Sequence, residues 1–271
     1  MKAGAIPPEE LVQPFPSIDL PIQPPYPPAE AKSVNEIPRG PGWLYEPKWD
    51  GFRCLAFRNR KEVLLQSKAG QPLGRYFPEL VAALADLPER RFVLDGEIVI
   101  FSGGHLSFDD LLLLIHPAQS RIRKLSAESP ATFMCFDLLV DSKGEVHTHL
   151  PLKQRRERLT QLFRHFRSKG TVRLSPASTD RKQAEQWMRE LGTLGLDGIV
   201  AKRLDEAIGL ESAPPWSRSS AFAARIAWSE VFATQKKAAV LARFSWVFTT
   251  IKGYWIMWDS RPASPENSAP S

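Results

Sequence analysis

The sequence predicts an α+β fold in which antiparallel sheets are flanked by helices. Two runs, residues 92–101 and Thr132–Val140, are rich in β-branched and aromatic residues and have the length of strands. Two other runs, residues 152–166 and 181–191, repeat apolar side chains at the spacing of one helix face. This mixture of elements favours a sheet covered by helices within one domain.

Shorter elements fit the same architecture. Residues 44–46 and 52–57 read as strands on either side of the turn at residues 47–51. Strand-like sequence resumes at residues 198–202. Asp180 stands where a side-chain cap of the second helix is expected.

Proline is concentrated at the start of the chain, where 11 of the 24 prolines fall in the first 41 residues. The run at residues 21–28 cannot form a helix or a central strand, because proline lacks the backbone N–H and fixes φ. We expect an extended arm at this end of the chain. Its first part, residues 1–20, is predicted to be flexible, and the domain to begin at residue 21.

Composition limits the class of protein. The 271 residues are 43% hydrophobic and 24% charged, which is typical of a globular chain. No apolar run approaches the roughly 20 residues of a membrane helix, and no signal peptide is visible. The two cysteines, Cys54 and Cys135, have no metal-binding spacing, which favours a reducing, cytoplasmic setting. The net charge of +6 permits a polyanionic partner.

The most specific local pattern is K-x-D-G-x-R, from Lys48 to Arg53. A lysine on a tight turn, with a glycine that allows close backbone approach, can meet a phosphate. The lysine can act as a nucleophile once it loses its proton, which nearby cations or a bound metal would favour. Alone, the pattern fits an exposed β-turn with a solvated lysine better.

Five sequence segments, beginning with the one that contains K-x-D-G-x-R, occur along the chain in a fixed order, and together they indicate a protein family. The chain resembles the nucleotidyltransferases that form a lysine–AMP intermediate, specifically the short bacterial ATP-dependent DNA ligases. The resemblance covers residues 20–205 and implies an ATP-grasp-like adenylation domain at residues 21–205. The matching segments are EPKWDGFR (46–53), QSKAG (66–70) with RYFPEL (75–80), LDGEIV (94–99), FDLL (136–139) and DGIVAKR (197–203).

The resemblance implies roles in nucleotide binding and catalysis. Lys48 would attack the α-phosphate of ATP and hold AMP. Glu46 would accept a hydrogen bond from the adenine amine, and Arg53 would contact the sugar and phosphate side. Lys68 stands where the family usually has arginine, so the charge is kept and the bidentate geometry is lost.

Four more positions complete the implied site, each with a plainer alternative. Phe136 would stack on adenine, although by itself it fits the core. Lys202 would neutralise phosphate charge, although it also fits a surface lysine. Glu97 and Asp197 would serve as ligands of Mg²⁺ or Mn²⁺. Asp197 replaces the family's usual glutamate, and Glu97 could instead be a strand-edge residue facing water.

Two groups of basic residues are candidates for contact with DNA phosphates. The first is Arg121, Arg123 and Lys124, and the second is the run at residues 153–158. Such contacts give affinity without sequence preference. A solvated helix face explains the second group equally well.

The resemblance stops after Asp205. The family's next lysine-containing strand and its C-terminal OB-fold are not recognisable in residues 206–271. We interpret this tail as a shifted reading frame or a truncation with foreign sequence, ahead of a diverged appendage, and expect its last ten or so residues to be disordered. Full activity is in doubt on this ground.

The resulting hypothesis is a DNA ligase (ATP) of DNA repair and recombination that seals nicked double-stranded DNA. We expect a monomer in the bacterial cytoplasm or nucleoid, without a membrane partner and with end-joining or repair proteins as candidate partners. The alternative is a catalytically defective remnant that binds nucleotide or DNA without sealing. An RNA ligase or capping-type guanylyltransferase shares K-x-D-G, but the EPKWDGFR and RYFPEL contexts argue against both.

Overall fold

The computed structural model describes residues 15–166 and 170–208, which contain nine strands and six helices. The strands are β1 Trp43–Lys48, β2 Phe52–Asn59, β3 Glu62–Ser67, β4 Arg91–Val99, β5 Phe101–Ser102, β6 His105–Leu106, β7 Thr132–Val140, β8 Val172–Leu174 and β9 Gly198–Arg203. The helices are α1 Pro78–Ala85, α2 Phe108–Leu113, α3 Gln119–Glu128, α4 Leu152–His165, α5 Arg181–Arg189 and α6 Leu191–Leu194. None of these helices is both long and apolar enough to cross a bilayer.

A five-stranded sheet with the order β3-β2-β4-β7-β8 forms the centre of the fold. Its first three pairings are antiparallel, as expected, but β8 runs parallel to β7. The purely antiparallel prediction is therefore wrong at this edge. Helix α4 lies between β7 and β8 in the chain, and a helical crossover returns the next strand in the same direction.

A separate two-stranded sheet joins the beginning and the end of the described chain. Strands β1 and β9 pair antiparallel, with Glu46 opposite Val200 and Lys48 opposite Gly198. Because cross-strand neighbours lie close together, this register gathers the EPK and DGIVAK motifs into one place. The candidate active site is built on this pairing.

Helices α1 and α4 cover one face of the central sheet. Leu80 and Leu84 of α1 and Leu159 of α4 are fully buried against strand residues such as Leu94 and Phe133. Removal of this apolar surface from water is the main stabilising contribution we expect between these elements. The predicted helix at residues 152–166 is confirmed as α4. The second predicted helix is confirmed as α5, whose cap Asp180 accepts a hydrogen bond from the Lys182 amide.

The N-terminal arm covers part of the opposite face. Ile18, Leu20 and Ile22 are buried against Leu55 and Phe57 of β2. The chain bends at residues 19–22, where the Leu20 amide donates a hydrogen bond of 2.8 Å to the Ile18 carbonyl, so a turned segment directs these three side chains to the sheet. The buried part of the arm therefore begins at Ile18, before the predicted start of the domain at residue 21, whereas residues 1–14 of the arm predicted to be flexible lie outside the described part.

At the other end, packing continues three residues beyond the predicted boundary at residue 205. The amide of Ile208 donates a hydrogen bond of 2.8 Å to the Thr148 carbonyl, and its side chain packs against the cluster that contains Ile18. The predictions for the tail concern residues 206–271, of which residues 209–271 lie outside the described residues.

Candidate active site

Strands β1 and β9 bring the predicted nucleophile to a carboxylate. The Asp197 amide donates a hydrogen bond of 2.9 Å to the Lys48 carbonyl. The Lys48 ammonium donates in turn to Asp197 Oδ2, and the two side chains are 31% and 26% exposed. The predicted nucleophile is therefore partly exposed and is held by a partner 149 residues away in the sequence.

The turn after Lys48 packs closely against β4. A Cβ at Gly51 would overlap the carbonyl oxygen of Ile98 and lie 3.0 Å from Glu97 Cγ. Only glycine permits this approach without a shift of the backbone. The K-x-D-G motif thereby sets Lys48 beside the strand that carries Glu97.

Glu97 is a partly buried carboxyl group among other charges. Loss of solvation raises its pKa to about 8, against the opposing effect of Arg53 and Lys48, and Asp95 and Asp50 add to the increase. Glu97 is only partly exposed and its strand β4 lies between β2 and β7, which does not match the strand-edge alternative. A carboxyl group with a raised pKa in a charged site is a common feature of functional sites.

The carboxylates of Glu97 and Asp197 fit a hard divalent cation. Both offer oxygen ligands, which Mg²⁺ prefers. Lys48 is hydrogen-bonded to Asp197, and its charge acts on Glu97. A cation bound by the Glu97 carboxylate would offset the cost of burying it.

Glu46 is a buried carboxylate in the middle of β1, with only 2% of its surface exposed. Lys202 Nζ donates a hydrogen bond of 2.7 Å to its Oε2 atom. Its Oε1 atom makes no hydrogen bond and lies 3.6 Å from Arg156 Nη1. Glu46 and Lys202, both predicted to bind nucleotide, are thus brought together.

The ring of Phe136 borders this pair. Lys202 Nζ lies 4.4 Å and Arg53 Cζ lies 4.5 Å from the ring centroid, distances at which cations interact with an aromatic face. The ring is nearly buried, at 8% exposure. Phe136 therefore lies in the predicted site, although it also belongs to a strand that is buried along its whole length.

Arg53 is held by a carboxylate that the sequence patterns did not single out. Its Nε and Nη2 atoms donate to Asp95 Oδ1 and Oδ2 at 2.6 and 2.7 Å. Burial alone would lower the pKa of Arg53, but the charge and hydrogen bonds of Asp95 raise it overall. The overlooked signal is the strand period, since Asp95 lies two residues before Glu97 on the same face.

Lys68 lies apart from these contacts. Its ammonium is 3.1 Å from Glu30 Oε1, and both side chains are mostly exposed. The neighbouring Ala29 carbonyl accepts a weak hydrogen bond of 3.5 Å from Arg53 Nη2. The N-terminal arm therefore runs between Lys68 and the site.

The basic run at residues 153–158 does not form a single face. Arg155 is buried and makes a bidentate pair with Asp137, with both distances 2.9 Å. Arg156 points towards Glu46, with its side chain 13% exposed. Both positions keep helical spacing with Leu152 and Leu159, which is the signal that would have placed them on the inner side of α4.

One further group of acidic and imidazole side chains lies at a turn away from this site. Asp141, Glu145 and His147 place ligand atoms within 4.8 Å of one another. His147 Nε2 is 3.0 Å from Asp141 Oδ2, and the Arg158 guanidinium is 3.9 Å from both carboxylates. The guanidinium of Arg158 therefore already supplies positive charge to these two carboxylates, in the place where a bound metal ion would otherwise do so.

The fold and the site together define a class of protein. A lysine on a K-x-D-G turn, surrounded by carboxylates and next to a second lysine and a buried aromatic ring, is the arrangement of a covalent nucleotidyltransferase. The model of the ATP-dependent DNA ligase domain family matches residues 28–208. The chain belongs to this family.

Curated relatives agree with this assignment. The chain is 47% identical over 189 residues to DNA ligase C2 of Mycolicibacterium smegmatis. The aligned region covers 69% of this chain and 52% of that protein. It is 44% identical over 188 residues to DNA ligase C of Mycobacterium tuberculosis, with coverage of 68% and 51%. The chain thus spans about half the length of these curated relatives.

A more distant relative and a solved structure are also similar. The multifunctional non-homologous end joining protein LigD of Mycobacterium bovis is 29% identical over 164 residues, which is 60% of this chain and 19% of that protein. The structure of mycobacterial DNA ligase D complexed with ATP and MES aligns with a TM-score of 0.47 at 23% identity. That alignment covers 72% of this chain and 60% of that one.

Proposed function

We propose that this chain supplies the adenylation domain of an ATP-dependent DNA ligase that acts in DNA repair. Lys48 takes AMP from ATP and passes it to a 5′-phosphate at a nick, after which a 3′-hydroxyl displaces AMP. The observation that carries this proposal is the contact between Lys48 and Asp197, which joins the first and last motifs of the family in one partly exposed site.

The first step forms a covalent bond to the chain. The lone pair of neutral Lys48 Nζ forms a P–N bond to the α-phosphorus, the bond to the bridging oxygen breaks, and pyrophosphate leaves with its electron pair. In the structure Lys48 Nζ donates a hydrogen bond to Asp197 Oδ2. The attack therefore requires this pair to open, with one proton released to solvent before the attack and a second as the P–N bond forms.

Transfer to DNA reverses the bond to lysine. An oxygen of the 5′-phosphate attacks the same phosphorus, the P–N bond breaks, and the Lys48 nitrogen recovers a proton. The 3′-hydroxyl then attacks the 5′-phosphorus, and AMP leaves. At each stage the residues around Lys48 keep the reacting groups in line, which is the main contribution of a protein to phosphoryl transfer.

Glu97 and Asp197 are the residues that would hold a divalent cation. Bound Mg²⁺ or Mn²⁺ would neutralise phosphate charge and polarise the α-phosphate. Glu97 would then remain ionised despite its burial, and Asp197 would exchange its contact with the lysine for one with the cation.

The base side of the site consists of Glu46 and Phe136. The Oε1 atom of Glu46, which accepts no hydrogen bond in the structure, is a buried acceptor suited to an amine such as that of adenine. Stacking on Phe136 needs one face of the ring, so Lys202 or Arg53 must give way to the base. Lys202 would then be available to a phosphate.

We expect DNA to be the polyanionic partner. Arg121, Arg123 and Lys124 are exposed along α3, where they can meet phosphates in a salt-dependent way. This substrate would place the protein in the bacterial cytoplasm, at the nucleoid, and we expect it to act there as a monomer. End-joining proteins are the natural candidates for protein partners.

Incubation of the full chain with ATP labelled at the α-phosphate, in the presence of Mg²⁺, tests the proposal. A denaturing gel should show the label on the protein with ATP and not with GTP, and a nicked duplex should then remove it. Binding of ATP without covalent label would indicate the defective remnant instead. A preference for GTP would indicate a guanylyltransferase.

A further inference from the structure

We propose that Arg156 is a positioning residue that holds the nucleotide pocket together, an inference that rests on the proposed function. Arg156 belongs to α4, outside the motifs that carry the resemblance. Its guanidinium reaches three segments that line the candidate site. These are β1 through Glu46, β7 through Phe136, and the residue after β8, Ser175.

The contacts of Arg156 use both ends of its guanidinium group. Nη1 lies 3.6 Å from Glu46 Oε1 and donates a hydrogen bond of 3.5 Å to the Phe136 carbonyl. Nη2 donates to the Ser175 carbonyl. A planar fork of donors suits such a junction, whereas the single ammonium of a lysine could not reach all three partners at once.

The first consequence concerns the charge of Glu46. A carboxylate that is 2% exposed is costly to bury without nearby positive charge. In the structure Lys202 pairs with Oε2, and Arg156 is the cation beside Oε1. When Lys202 turns to a phosphate, Arg156 remains as the positive charge beside the Glu46 carboxylate, whose Oε1 atom can then accept from the base.

The second consequence concerns the residue that follows the nucleophile. Trp49 Nε1 donates a hydrogen bond of 2.9 Å to Ser175 Oγ. Because Arg156 holds the carbonyl of the same serine, it also restrains the indole next to Lys48. Arg156 thus connects the base side of the pocket to the nucleophile side through Ser175.

The competing interpretation is that Arg156 belongs to a basic face of α4 that tracks DNA. Its 13% exposure and its three inward contacts argue against this. Arg164, two turns later on the same helix, is exposed and offers a matched comparison.

The test compares four full-length proteins, namely wild type, Arg156→Met, Arg156→Lys and Arg164→Met, without DNA. The ATP concentration that half-saturates formation of the Lys48–AMP adduct is measured together with the maximal rate. Arg156→Met should raise the half-saturating ATP concentration at least tenfold, with a smaller effect on the maximal rate. Arg156→Lys should fall between this variant and wild type, and Arg164→Met should stay within twofold of wild type.

A second readout does not depend on activity. The ¹⁵N–¹H resonance of the Trp49 indole, assigned with Trp49→Phe, should shift in Arg156→Met and not in Arg164→Met. A folded Arg156→Met protein with wild-type ATP dependence would overturn the inference. If wild type forms no adduct, the proposed function fails. The indole resonance then decides the inference alone, with a shift supporting it and an unchanged position overturning it.

Discussion

Lys202 donates a hydrogen bond of 2.7 Å to Glu46 across the β1–β9 pair. The two residues have proposed roles at opposite ends of a nucleotide, the lysine at the phosphates and the glutamate at the base. In the structure they neutralise each other beside Phe136, and Lys48 and Asp197 do the same a few residues away. Nucleotide binding therefore has to exchange two internal ion pairs for contacts with the substrate.

This exchange gives a prediction for Lys202. Lys202→Met should weaken ATP binding by tenfold or more, because a phosphate loses its counter-charge and Glu46 loses one of its two cations. Isothermal titration with ATP on the Lys48→Ala background measures binding without adduct formation. Lys153→Met, an exposed change on α4, is the control. Equal affinity with and without Lys202→Met on that background would contradict the role of Lys202.

Asp197 is predicted to matter for chemistry more than for folding. Asp197→Asn removes the charge that faces Lys48 and a candidate cation ligand, so adenylation should fall about 100-fold or more, in the range of lost electrostatic stabilisation at active sites. The side chain is 26% exposed, so the unfolding midpoint should change little. Asp197→Glu, the residue usual in the family, should preserve or raise activity. Loss of folding in both variants would instead indicate a structural role.

The buried pair of Arg155 and Asp137 is predicted to be structural. Arg155 also donates to the carbonyl oxygens of Leu150 and Glu206, at 2.5 and 3.3 Å. Removing one partner leaves an uncompensated charge, so Asp137→Ala should lower the free energy of unfolding by about 3–5 kcal/mol. Chemical denaturation measures this, with Arg164→Ala as the exposed control. A loss below about 1 kcal/mol, as for an exposed ion pair, would be the contrary result.

Glu79 gives a prediction for pH. Burial raises the pKa of this carboxyl group above its usual 4.5, although its Oε1 atom accepts a hydrogen bond of 3.2 Å from the Ala131 amide. The folded chain therefore binds the Glu79 proton more tightly than the unfolded chain does. Protonated Glu79 thus contributes to the stability of the folded chain below pH 4.5, and this contribution is lost as the pH rises through the raised pKa of the folded state. Glu79→Gln should become progressively more stable relative to wild type as the pH rises from 4.5 through the raised pKa. If the difference in free energy of unfolding between Glu79→Gln and wild type does not change with pH, the proposed titration of Glu79 is contradicted.

The sequence motifs indicated which residues lie together better than they indicated the fold around them. Lys48 contacts Asp197 and Lys202 contacts Glu46, because the motifs fix residue types at fixed spacings; the catalytic and binding roles of these residues stay predictions. Their meeting depends on the β1–β9 pairing, and no local pattern indicates a pairing between strands about 150 residues apart. Local periodicity, by contrast, was enough for α4 and α5.

Other features depend on tertiary contacts. The parallel direction of β8 follows from the crossover through α4, and the burial of Ile18 follows from a sheet face that the arm covers. Arg155 and Arg156 look like solvent-facing charges in a basic run until the carboxylates of Asp137 and Glu46 are placed beside them. Charged residues are assigned to the surface by default, so buried ion pairs are the class of contact that sequence patterns miss most readily.

The most direct measurement is mass spectrometry of the full chain after incubation with ATP and Mg²⁺. We predict a mass increase of one AMP per chain, located on the peptide that contains Lys48 and absent from Lys48→Ala. Loss of the adduct on treatment with acid, with stability to alkali, would identify the expected P–N bond. AMP on any other residue with Lys48 unmodified, or an adduct that persists in Lys48→Ala, would contradict the assignment of the nucleophile.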